Sequence, residues 1–148
     1  MLDQKDMKIL KELKNNSKLS AREISKRTRI AVTTVFNRIK KLEKSKIIKG
    51  YTTVIDEDKI GRNVTAYVMI TVDYNYLKKA KMSQQELAMK LKQHEFVEEV
   101  GILTGVSDII IKVKTSDLMQ LNQFVTGHLR NIDGVEKTQT SVVLSNFK

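Results

Sequence analysis

The hydrophobic period first changes near the middle of the chain, and that change limits what the chain can fold into. Up to Lys44 the apolar residues recur at helical spacing. From Val64 they alternate, with Val64, Ala66, Val68, Ile70 and Val72 on one side of "VTAYVMITVDY" and Tyr67, Met69 and Thr71 on the other. A strand cannot satisfy a 3.6-residue period, nor a helix a two-residue one. Two differently built modules are therefore expected, and 148 residues suit one ordinary domain or two small ones.

The first module reads as three helices. "LDQKDMKILKELKNN" offers Asp3 as N-cap with Asp6 three residues on, then Met7, Leu10 and Leu13 at helical spacing, and Asn15 and Asn16 to close it. "SAREISKRT" opens with the capping box Ser20 and Glu23 and turns Ala21 and Ile24 inward. Only Arg29, Ile30 and Ala31 separate it from "VTTVFNRIKKLEK", a connection that suits two helices crossing steeply. In that third helix Val32, Val35, Ile39 and Leu42 form a core-facing stripe. Thr33, Asn37, Lys40 and Lys44 lie opposite it, with Thr34, Lys41 and Arg38 along one flank. "IIKGYTTVID" then reads as a strand or small wing, and "EDKIGRN" as a linker. The expected organisation is a helix-turn-helix domain over 1–50, a strand and linker over 51–63, and a second domain over 64–148.

In the second domain a capping box at Ser83 and Glu86 begins a helix that buries Leu87 and Leu91. "FVEEVGILTG" and "DIIIKVKT" are strands joined by the turn Gly105 to Asp108. "SDLMQLNQFVTGHLRNI" is a helix on Leu118, Leu121, Val125 and Ile132, and "GVEKTQTSVVLS" is the last strand. The order β-α-β-β-α-β predicts a ferredoxin-like domain, two helices on one face of a four-stranded antiparallel sheet, and the whole chain is α+β. The uncovered face, carrying Tyr67, Met69, Thr71 and Ile110, suits a partner sheet or subunit better than water.

Charge divides the chain in the same place. Residues 1–63 hold 17 Lys/Arg against 8 Asp/Glu, a net of +9, and residues 64–148 hold 10 against 9, a net of +1. A basic block beside a neutral one suggests a polyanion-binding module joined to a module with another task. A membrane surface is a poor candidate for that polyanion, because the face opposite the cations is a thin aliphatic stripe suited to a small core. There is no basic-then-apolar leader pattern, and the longest uncharged apolar run, Ala66 to Val72, cannot span a bilayer, so a soluble cytoplasmic protein is expected. Zero Cys removes disulfides and thiolate metal sites.

The inventory for catalysis is poor, and neither an enzyme, a cofactor nor a metal is expected. His94 and His128 sit near the ends of two helices, where an exposed or dipole-stabilised imidazole is the ordinary finding. Glu98 and Glu99 are adjacent in a strand, which points them to opposite faces and prevents a carboxylate pair.

Residues 20–44 fit a helix-turn-helix, whose second helix enters the major groove of duplex DNA. Thr33, Thr34, Asn37 and Arg38 are then placed for base edges, since Asn can bridge adenine and Arg guanine. Ser20, Arg22, Arg29, Lys40, Lys41 and Lys44 complete the candidate DNA-binding set, and its cations suit phosphates. An RNA-binding protein is the competing class, but Phe36 and Tyr51 are the only aromatics in the basic half and single-strand readers stack bases on aromatics. A small-molecule sensor with incidental nucleic-acid affinity is the other alternative.

Taken together, "LDQKDMKIL", "SAREISKRT", "VTTVFNRIKKLEKSKIIKGYTTVID", "TGVSDIIIKV" and "GVEKTQTSVVL" resemble the Lrp/AsnC, or feast/famine, family of prokaryotic transcription regulators, in order and spacing over essentially the whole chain. The resemblance implies a DNA-binding domain followed by an effector-binding and oligomerisation domain. It also implies homodimers, often assembled into tetramers or octamers, with amino acid effectors held between adjoining dimers. Promoter occupancy would block or recruit the basal transcription machinery, a further partner. The family's effector sites centre on a G-x-x-D turn, here Thr104, Gly105, Val106, Ser107 and Asp108. Four positions depart from the pattern. Arg29 and Lys46 stand where the family usually has Gly, Ala31 where it has the capping Ser, and Ser107 where an aromatic often precedes the Asp. Losing a turn Gly or a cap costs on the order of 1 kcal/mol each.

Overall fold

The computed structural model describes residues 2–145, so the last three residues of the expected C-terminal domain lie outside the described ones. The chain forms two compact units divided between Ile55 and Asp56.

The first unit holds α1 (Gln4–Asn15), α2 (Ala21–Thr28) and α3 (Val32–Lys44). Its core is Ile9, Leu13, Leu19, Ile24, Ile30 and Val35, with Ala21, Ile39 and Ile48 packed against it. Helix α1 is rotated from the expected phase. Ile9 is fully buried and Met7 is 57% exposed, because Asp6, Ile9 and Leu13 form the i, i+3, i+7 stripe. Val32, expected inward, is exposed at the first turn of α3, while Val35 and Leu42 are buried. Capping boxes start α1, through Asp3 and Asp6, and α2, through Ser20 and Glu23.

The two missing glycines leave their backbone geometry intact. Arg29 closes α2 at φ 58° and Lys46 follows α3 at φ 58°, both in the left-handed region usually given to Gly. Ala31 supplies no side-chain cap to α3. The strand or wing expected over Ile47–Asp56 is absent, and residues 49–56 carry no regular structure. A strand needs a neighbour for its N–H and C=O groups, and among the described residues this unit has no second strand.

The second unit opens with a 3₁₀ turn, Asp58–Ile60, within the stretch expected as linker. It continues with β1 (Val64–Val72), α4 (Tyr74–Ala80), α5 (Gln84–Lys92), β2 (Val97–Ile102), β3 (Ile109–Thr115), α6 (Leu118–Gln123) and β4 (Val135–Val142). Helix α6 runs on as a π turn, Phe124–His128, and a 3₁₀ turn, Leu129–Asn131. The sheet order β2-β3-β1-β4, antiparallel throughout, is the expected split arrangement. Ala66, Val68, Ile70 and Val72 of β1 and Ile109, Ile111 and Val113 of β3 bury one sheet face under Leu87, Leu91, Leu121, Phe124, Val125 and Leu129. Leu118, expected in that core, is exposed, and Phe124 and Leu129 take inward positions instead. At φ +94° Gly134 turns the chain into β4 where a Cβ would lie 3.1 Å from Leu77 Cδ2, so geometry and packing both demand glycine.

Three local features differ from the sequence expectation. Helix α4 fills the stretch between β1 and the capping box at Ser83, where no element was expected; Asp73 caps it by accepting from the Tyr76 N–H, and Leu77 anchors it. A register shift between Val97 and Glu99 breaks the two-residue alternation of β2. Glu98 and Glu99 therefore do not diverge as expected: Lys112 Nζ lies 3.2 Å from a carboxylate oxygen of each. His94 and His128 are not isolated helix-end residues either. Their ring centroids are 4.6 Å apart, and His94 also lies against Phe96 and Phe124. The Phe96 N–H donates to His94 Nδ1, and burial followed by the charge of His128 holds His94 below its ordinary pKa.

Candidate nucleic-acid interface and effector turn

The outward face of α3 collects most of the expected DNA-binding residues. Thr33, Asn37, Lys40, Lys41 and Lys44 are exposed and Thr34 is half-buried. Among the described residues, none of these lysines has a carboxylate within ion-pair distance. Arg22 and Arg29 are exposed on α2 and at the turn, likewise outside any ion pair there. Lys40 does have one partner: its ammonium sits 4.4 Å from the centroid of the Phe36 ring.

Two residues of the expected set are engaged inside the protein. The Ser20 hydroxyl donates to Glu23 Oε2 at 2.7 Å and accepts from the Glu23 N–H, so it serves the start of α2. Arg38 donates through Nη1 to Asp3 Oδ2 at 2.6 Å and to Asp6 Oδ1 at 2.8 Å. Those carboxylates are also the α1 capping box: the Asp6 N–H donates to Asp3, and the Asp3 N–H to Asp6. Both are held below the ordinary carboxylate range, first by these main-chain donors and then by Arg38. Arg38 in turn is held charged, by Asp6 first and then Asp3. Both bonds use Nη1, so the Nη2 and Nε donors of the guanidinium have no acceptor among the described residues. The triad borders a recess of about 320 Å³ whose other walls are Thr34, Asn37 and Lys41. Sequence reading missed this clamp, because its partners lie 32 and 35 positions away.

The turn in the second unit has a different character. Gly105 adopts φ +140°, a conformation strained for other residues, and Val106 is fully exposed. Asp108 is a hub: Oδ2 accepts from the Val72 N–H and Oδ1 from the Tyr74 hydroxyl, each at 2.8 Å. Its carbonyl accepts from the Leu103 N–H and from Gln84 Nε2, and its N–H donates to the Ile70 carbonyl. That bond to Asp108 is the first cause of the raised Tyr74 pKa. The main-chain N–H groups of Thr104, Gly105, Val106 and Ser107 have no acceptor among the described residues.

Among the described residues there is no group of three or more His, Asp or Glu side chains arranged to hold a metal ion. No helix among them is long and apolar enough to cross a membrane.

Comparison with known proteins agrees with this division. Residues 2–49 match the family described as winged helix-turn-helix DNA-binding, and residues 65–148 the Lrp/AsnC ligand binding domain. The chain is similar to the HTH-type transcriptional regulator FL11 of Pyrococcus horikoshii, 37% identical over 99% of this chain and 92% of the relative. An uncharacterised HTH-type transcriptional regulator of Pyrococcus abyssi is 40% identical over 100% of this chain and 95% of its own. Among solved structures, the transcriptional regulator NMB0573 of Neisseria meningitidis, crystallised as an L-Met complex, superposes with TM-score 0.91 at 26% identity, covering 100% of this chain and 93% of that one. LrpC of Bacillus subtilis gives TM-score 0.84, also at 26% identity, over 100% of this chain and 98% of that one. On its sequence and its fold, this chain belongs to the Lrp/AsnC family of helix-turn-helix transcriptional regulators.

Proposed function

We propose that the chain binds promoter DNA sequence-specifically in the cytoplasm as a homodimer or larger assembly, through residues 1–50. Residues 64–148 carry oligomerisation and the response to an amino acid. The observation that carries the DNA assignment is the outward face of α3, where hydroxyl and amide groups share one exposed surface with ammonium groups that have no carboxylate partner among the described residues. In a dimer two such helices enter successive major grooves about 34 Å apart. Thr33, Thr34 and Asn37 read base edges, and Arg22, Arg29, Lys40, Lys41 and Lys44 meet phosphates. Arg38 holds α3 against the start of α1, and Ser20 holds the start of α2.

For the effector, the unsatisfied N–H groups of Thr104, Gly105, Val106 and Ser107 offer donors to a carboxylate, on a turn that Asp108 fixes. The family's ligand-binding domain and the L-Met complex of the Neisseria relative support an amino acid as the molecule bound. The half-exposed sheet face around Tyr67, Met69 and Ile110 supports a second copy of the chain as its cover.

A competition titration at fixed salt tests the DNA assignment, with labelled duplex from upstream of the protein's own gene and random duplex or structured RNA as competitors. Displacement by random duplex only at about 10³-fold excess or more is expected. Equal competition by all three would reduce α3 to a general polyanion surface.

A further inference from the structure

Phe36 is half exposed on the second turn of α3, and Val32, one helical turn earlier, is 40% exposed. The inward stripe of Val35, Ile39 and Leu42 already fills the core side of the helix, so neither residue is needed there. The other described phenylalanines, Phe96 and Phe124, are packed in the second unit. Phe36 and Val32 form an apolar strip directly beside the Thr33–Asn37 column. Lys40 continues the strip as a cation, its ammonium over the Phe36 ring.

We infer that Phe36, with Val32 beside it, reads the 5-methyl group of thymine and is a specificity-determining residue of the interface. The inference rests on the proposed DNA binding and deepens it. Every base edge in the major groove presents hydrogen-bonding groups, and the thymine methyl is the one apolar feature among them. An apolar strip between hydrogen-bonding side chains on a groove-entering helix therefore has one complementary partner. The surrounding charge selects the same occupant, since Lys40, Lys41 and Lys44 lack carboxylate partners among the described residues. Stacking on a flipped-out or single-stranded base fits less well, because the Lys40 ammonium already occupies one face of the ring.

The test uses the full chain and a duplex selected by it from a random pool, with each thymine replaced in turn by deoxyuridine. That change deletes one methyl and keeps every hydrogen bond. Wild type should lose about fourfold in affinity at one or two positions. Phe36→Ala should bind the thymine and uracil forms equally there and keep its salt dependence; Phe36→Leu should retain part of the discrimination. Indifference of wild type to every replacement would overturn the inference, as would discrimination that survives in Phe36→Ala. So would a Phe36→Ala loss that falls equally on both forms without removing the wild-type ratio, which marks a positional or subunit contact. A pool from which no sequence is enriched would instead overturn the sequence-specific reading itself, and this inference with it.

Discussion

Lys40, Lys41 and Lys44 on α3 have no carboxylate partner among the described residues, whereas Lys112 and Lys114 on β3 lie among Glu98, Glu99 and Glu57. The same residue type meets opposite fates in the two units. In the second, nearly neutral unit, acids and bases answer one another across the sheet. In the first, Asp3 and Asp6 bind Arg38 and Glu43 of α3 accepts from the Tyr51 hydroxyl, and the excess cations are left for an external anion. Asn37 and Arg38 repeat the contrast at adjacent positions, one exposed and one clamped. A residue whose side chain bonds inside the protein supports the framework; one left open is available to a ligand.

The largest expected effect breaks or sharpens this contrast directly. If about six phosphates are met per dimer, affinity for a specific duplex should fall roughly 10³-fold between 50 and 200 mM salt. Anisotropy titrations across that range would show it, and a flat response would mean that the α3 cations do not meet DNA. Asp108→Ala comes next. It strips the acceptor from the Val72 N–H and the Tyr74 hydroxyl, and urea unfolding should show a loss of about 1–3 kcal/mol. The ratio of specific to random DNA binding should stay unchanged.

Arg29→Gly separates framework from ligand surface at one position. Relief of a left-handed arginine should stabilise the protein by about 0.5–1 kcal/mol, while loss of the cation weakens all duplexes modestly. Greater stability with undiminished affinity would remove Arg29 from the phosphate set. The smallest effect is in pH. Asp3 and Asp6 contribute stability that is fully present above about pH 3.9 and lost as pH falls through their lowered folded values. His94, also lowered, contributes above about pH 6.5, and that contribution is lost as pH falls from there to its folded value. Between pH 7 and 5 the protection against hydrogen exchange, after correction for the intrinsic rate at each pH, should therefore fall in the second unit, at Ile111, and not in the first, at Ile24.

Features set by neighbours in sequence were legible before the structure. The capping boxes at Asp3, Ser20 and Ser83 are i, i+3 chemistry, and the alternation of β1 needs only its own pleat. Helix α4 was missed because its seven residues bury only Leu77, too little for a period, although the Asp73 cap marked its start. Adjacent glutamates normally diverge in a strand, and nothing local at Glu98 and Glu99 announced the bulge. The Arg38 clamp was out of reach for another reason. It joins the start of α1 to the middle of α3, a tertiary contact between positions 32 and 35 residues apart. The strand expected over Ile47–Asp56 had the right residue types without a neighbour to pair with, so propensity alone did not form it.

The most direct measurement of the central contrast is the ratio of random-duplex to specific-duplex dissociation constants for wild type, Asn37→Ala and Lys44→Ala at one salt concentration. An open base reader predicts that Asn37→Ala lowers the ratio by about 1–3 kcal/mol of discrimination, while Lys44→Ala weakens both duplexes alike and leaves the ratio standing. Equal losses on both duplexes for Asn37→Ala would contradict the account, since the exposed face of α3 would then hold DNA without reading it.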